Sequence, residues 1–224
     1  DGTITADSPV PSGQGSGTYG AMNTWDVSLI TDMSWLFDRK QNFNEDISNW
    51  DTSSVTNMYA MFYEASSFNQ PLNAWVTSSV TDMGEMFYQA SSFNQPLNAW
   101  VTSSVTNMVA MFERASAFNQ PLNTWNTSSV SNMGAMFLFA SDFNQDISAW
   151  DVSNVTDMRY LFENAVLFNK NLWNWQLNSD VVSVTNMFKG ATAALALGYK
   201  ATPSITQDSN DLWRLSDVAP PNMF

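Results

Sequence analysis

Along residues 21–188 the apolar positions fall on a grid that repeats every 25 residues. Trp25, Trp50, Trp75, Trp100, Trp125, Trp150 and Trp175 fill one column of it. Phe43, Phe68, Phe93, Phe118, Phe143 and Phe168 fill a second, and Met33, Met58, Met83, Met108, Met133 and Met158 a third. A fixed period of this length means stacked units, none of which buries its apolar face alone. In the unit from Ile147, the residues Ile147, Trp150 and Val152 suit a short strand with two side chains facing inward. From Val155 the spacing changes to three and four, through Val155, Met158, Leu161, Phe162 and Ala165, which is a helical stripe. Ser153 or Thr156 serves as its N-cap, and Asp157 in the first turn suits the helix dipole. The pattern therefore predicts a strand, a tight corner, a helical turn or short helix, and a return loop in each unit. Polar positions repeat as faithfully. The ladder Asn44, Asn69, Asn94, Asn119, Asn144, Asn169 is placed to bond the backbone of adjacent corners.

The grid divides the chain in three. Residues 1–20, rich in Gly, Ser, Pro and Thr, read as a linker or as an arm docked on the array edge or on a partner subunit. Residues 21–188 are an array of about seven repeats. Its last unit is degraded: Trp175 and Met187 stand 12 residues apart instead of 8, and Val181-Val182-Ser183-Val184 lies in the insertion. Residues 189–224 read as a C-terminal cap, with a short helix over Ala191–Leu197 stopped by Gly198. Leu212, Trp213, Leu215 and Val218 then cover the last rung, before Pro220-Pro221.

Residues 147–168 follow the pattern L-x-x-L-x-L-x-x-L-x-x-I-x-x-x-A-F-x-x-C-x-x-L, with Met158 for the Ile, Phe162 for the Phe and Ala165 where Cys is frequent. With the words Phe-Asn-Gln-Asp-Ile-Ser-Ala-Trp (143–150) and Trp-Asp-Val-Ser-Asn-Val-Thr-Asp-Met (150–158), this spacing resembles the BspA-like leucine-rich repeats of surface proteins, in their Met/Phe-rich 25-residue branch. The resemblance covers 25–188 and leaves out the tails. It implies an α/β repeat: a right-handed leucine-rich-repeat-type solenoid with a short-stranded parallel sheet and short helices on the convex side. It also implies adhesion or protein contact, and an extracytoplasmic setting at a cell surface, secreted, or in an organelle lumen. Thr77, Thr102 and Thr127 stand at an inward strand position where the pattern has an aliphatic residue.

Charge narrows the partners. With 21 acidic against 8 basic residues the net charge is −13, so nucleic acid and anionic membranes are repelled and a basic protein or a cation is attracted. No apolar run approaches the length of a membrane span, so direct membrane insertion is not expected. Cys and His are both absent, which removes disulfides, thiolate chemistry and the commonest general base. No cofactor motif is present. Starting at Asp1 without an apolar leader, the sequence reads as a processed product or an engineered piece.

These features point to a non-enzymatic protein-interaction module, surface adhesin-like or an accessory subunit of a larger assembly. Its partner-binding residues are expected on the concave face, beside the buried Trp columns: Asn49, Asp51, Val76, Val101, Thr124, Asn126 and Asp151. Val76 and Val101 make an apolar centre and the others a polar rim. Asp26 and Asp51, on adjacent rungs, are a candidate cation pair. Variable positions on the helical turns (Tyr59, Tyr63, Tyr88, Arg114, Leu138, Phe139, Arg159, Tyr160) are further exposed candidates. The alternative is an ice- or glycan-binding solenoid, from the rows Thr77, Thr102, Thr127 and Ser78, Ser103, Ser128.

Overall fold

The computed structural model describes residues 20–178 and 182–216. The arm expected over 1–20 falls almost wholly outside the described residues, as do Val181, Val218 and Pro220-Pro221.

The 25-residue units stack as parallel rungs. One isolated bridge joins each pair of neighbours, running from Asp32 to Asn57, Asp82, Asn107, Asn132, Asp157 and Ser183. Beside each bridge a fixed set of backbone bonds crosses the gap. The N–H groups of Met58, Ala60, Phe62 and Glu64 donate to the carbonyls of Asp82, Gly84, Met86 and Tyr88 at 2.7–3.0 Å. Thr81 N–H returns a bond to the Thr56 carbonyl at 2.9 Å.

The expected leucine-rich-repeat solenoid, with its parallel sheet and convex helices, is overturned. A helix closes every N–H on the carbonyl four residues back. Here every second N–H leaves the rung, and Met61, Tyr63 and Ala65 close on Met58, Ala60 and Phe62, three residues back. Ala60 and Glu64 take left-handed backbone at φ 53° and 55°, and the same two positions do so in each of the rungs around them. The turn recurs every four residues, so it produces the same apolar stripe as a helix. That coincidence misled the pattern. The predicted strand is likewise absent: beside Asp51 the chain makes a turn at Ser53–Ser54, and no continuous sheet forms there.

Regular elements are few among the described residues. They are a 3₁₀ turn at Met22–Thr24, β1 (Gln176–Leu177), α1 (Thr192–Ala196), β2 (Ser204–Gln207) and β3 (Trp213–Ser216). The strands form one antiparallel sheet in the order β1-β3-β2, pairing Leu177 with Trp213 and Ile205 with Leu215. Leu215 is buried against the end of the core, and α1 falls inside the Ala191–Leu197 stretch.

Inside the array, like residues stack on like. Trp100 and Trp125 are 6.4 Å apart and within 3° of parallel, and Trp100 Nε1 donates to the Leu72 carbonyl at 2.9 Å. The indole is thereby both buried and satisfied. Phe87 stacks on Phe112 at 5.6 Å and on Phe93 of its own rung at 4.0 Å. The Met columns fill the space between, all fully buried from Met58 to Met136. Thr52, Thr77, Thr102 and Thr127 enter this core because each hydroxyl donates to a carbonyl of the next rung, at 2.8–3.0 Å. The Asn ladder accepts from backbone of the following rung: Asn69 Oδ1 takes the Asn94 N–H at 3.0 Å. Gly84 is needed by its neighbour, since a Cβ there would lie 3.1 Å from two carbons of the Tyr59 ring.

Candidate functional site

The residues Asn49, Asp51, Val76, Val101, Thr124, Asn126 and Asp151 are all exposed. They lie on a line of stacked turns, not on a sheet. Burial of Trp50, Trp75, Trp100, Trp125 and Trp150, and of the Thr or Val two residues later, holds the intervening residue outward. Thr77 Oγ1 donates to the Val101 carbonyl and accepts the Val101 N–H, at 3.0 and 2.9 Å, so consecutive members of the row are pinned side by side.

At this row position the turn has its own preference. Asp26, Asp51, Asn126 and Asp151 each accept the N–H of the Ser two residues on, through Oδ1 at 2.9–3.0 Å. Such a bond is the usual reason for Asp or Asn in a turn. Hydrogen bonds from Ser28, Ser53 and Ser153, side chain first and backbone second, hold Asp26, Asp51 and Asp151 below the ordinary carboxylate range. Val76 and Val101 cannot make that bond. They occupy the same place in two adjacent rungs with 46% and 49% of their surface exposed.

Asp26 and Asp51 are close enough for the charge of Asp26 to oppose ionisation of Asp51. Each spends an oxygen on its own turn, and no group of three or more acidic, His or Cys side chains suited to a metal exists among the described residues. Trp50 to Trp175 are buried, whereas Trp25 at the end is half-buried.

The variable positions are knit to one another across rungs. Tyr63 stacks on Tyr88 at 4.4 Å, and the Arg114 guanidinium lies 4.3 Å over Phe139. Tyr59 donates to Glu85, and burial, then that carboxylate, pushes its phenol up. Burial likewise raises Tyr63, up to about 12, and raises Glu113. Arg159 binds Asp157 at 2.6 Å.

Sequence reasoning missed two places. Leu29, Ile30, Trp35 and Leu36 are exposed at the N-terminal end of the array. A depression of about 460 Å³ opens between the last rungs and α1, lined by Asp146, Ser148, Lys170, Asn174 and Leu197. No periodic signal marks either, because each belongs to an end.

No helix among the described residues is long and apolar enough to cross a membrane. No curated protein and no solved structure matches the chain. One family model matches twice, over residues 14–114 and 96–197, in overlapping halves that together span the array. That double match accords with BspA-like repeats, and the chain is a repeat protein belonging to the family described as Mycoplasma protein of unknown function, DUF285.

Proposed function

We propose that the chain is a non-enzymatic protein-binding module that engages a partner through the Val76–Val101 row. The observation that carries this is the exchange of a turn-forming Asp or Asn for an exposed Val in two consecutive rungs. Each Val gives up a local hydrogen bond and places apolar surface in water, a double cost that the repeat avoids at Asp26, Asp51, Asn126 and Asp151. A partner with an apolar centre and basic rim recovers it, since Asp51 and Asp151 flank the row and the chain carries −13 overall. The Met/Phe-rich BspA-like resemblance supports display at a cell surface or use as an accessory subunit in an extracytoplasmic assembly. The ice- or glycan-binding alternative loses one of its rows, because Thr77, Thr102 and Thr127 are buried with their hydroxyls engaged.

The test is the double variant Val76→Asn with Val101→Asn, which restores the turn as Asn126 makes it without adding charge, and should leave thermal stability unchanged or raised. Photo-cross-linking from position 78 in the native source should trap a discrete protein with the parent chain and lose it at least about tenfold with the variant, the worth of two half-buried Val side chains. Equal trapping by both chains would refute the reading.

A further inference from the structure

Among the described residues, the N-terminal end of the array is a rung interface without its second side. Ile30 and Leu36 are 39% and 44% exposed, yet Val55 and Met61, one period on, are 0% exposed. Val80 and Met86, two periods on, are also 0% exposed. The backbone repeats the message. In the next rung the carbonyls of Asn57, Tyr59, Met61 and Tyr63 accept N–H groups of Met33, Trp35, Phe37 and Arg39. One period earlier the carbonyls of Asp32, Ser34, Leu36 and Asp38 receive no such bond among the described residues. A ridge of acceptors thus borders an apolar floor. The opposite end differs: Asn186 N–H donates to Thr202 Oγ1, Phe188 N–H to the Ala201 carbonyl, and the antiparallel sheet seats Leu215 on the core.

We propose that this end binds a segment of a separate polypeptide, which adds as one more rung. The interface it would complete is the one already formed between every pair of neighbouring rungs, so its chemistry is known. The segment presents every second N–H to the four carbonyls and sets aliphatic or Met side chains on Ile30 and Leu36, a form of main-chain augmentation. Two other occupants fit less well. One period before Ile30, Met33, Leu36 and Phe37 the chain has Thr5, Ser8, Pro11 and Ser12, which lack the apolar anchors. A second copy brings its own carbonyls, not N–H donors, to these four positions at its N-terminal ridge, and at its other end Asn186 and Phe188 have spent their N–H groups. The proposal concerns a different surface from the Val76–Val101 row and does not depend on it.

The experiment uses the full chain and a synthetic peptide copying residues 53–68, followed by calorimetric titration and by photo-cross-linking from a benzoylphenylalanine at position 36. The peptide should bind saturably and cross-link. Leu36→Asp should weaken it at least about tenfold, and Val76→Asp should leave it unchanged. A peptide N-methylated at the residues copying Ala60 and Phe62, whose N–H groups are rung-to-rung donors, should lose binding with no change to the protein at all. Absence of binding, indifference to N-methylation, or cross-links from position 36 to residues 1–19 or to a second copy would each overturn the proposal.

Discussion

Left-handed backbone at residues other than glycine is the least expected property of this chain at the residue scale. Trp35, Ala60, Glu85, Ala110, Ala135 and Tyr160 share the first such position, and Arg39, Glu64, Gln89, Arg114, Phe139 and Asn164 the second. An L-residue there costs about 1–2 kcal/mol relative to right-handed backbone. The cost is borne because only this kink turns alternate N–H groups toward the next rung. Gln89, at φ 53°, should therefore accept glycine with a gain of about 1 kcal/mol, whereas Gln89→Val should lose at least that much. The midpoints of urea unfolding for the two variants decide it, and equal shifts of the same sign would contradict the account. None of this was legible beforehand. The first column mixes an indole, methyls, a carboxylate and a phenol, so no residue type announces the conformation.

At the scale of the rung, the Trp, Phe and Met columns and the Asn ladder could be read directly, because stacking identical residues leaves a strict period. What could not be read is where the backbone bonds go. Apolar spacing of three and four is common to a helix and to a turn that recurs every four residues, and only the direction of the N–H groups separates them. The buried Thr column shows how rungs lock. Thr77 both donates to Val101 and accepts from it, so Thr77→Val keeps the shape but strands the part-buried N–H of Val101. That should cost about 1–3 kcal/mol, read from chemical denaturation. Val152 occupies the same column in the rung before β1 and is 1% exposed, so the site itself accommodates Val. A cost near zero would mean that backbone pairing alone holds the rungs.

For the whole molecule, charge and ends matter most. With 21 acidic against 8 basic residues the folded state repels itself, and adding salt should screen that repulsion. The melting temperature should rise by several degrees between about 10 mM and about 500 mM NaCl, across which the Debye length falls from about 30 Å to a few Å. A flat or falling response would show that local pairs such as Arg159–Asp157 outweigh the net charge. This end was invisible in the sequence because Ile30 and Leu36 sit at ordinary core positions of the grid, and they are exposed because no earlier rung stands among the described residues. Strict repetition also carries a hazard during folding. Sliding one part of the array by 25 residues puts Trp back on Trp, Phe on Phe and Asn on Asn, so the shared columns cannot tell a correct stack from a shifted one. Tyr59 can. Its ring rests over Gly84 so closely that even a Cβ would meet it at 3.1 Å, and a shift by one rung would bring Val109 to that place. An absent side chain, shared only with Gly134 two rungs on, thus sets a rung apart from its immediate neighbours in the array.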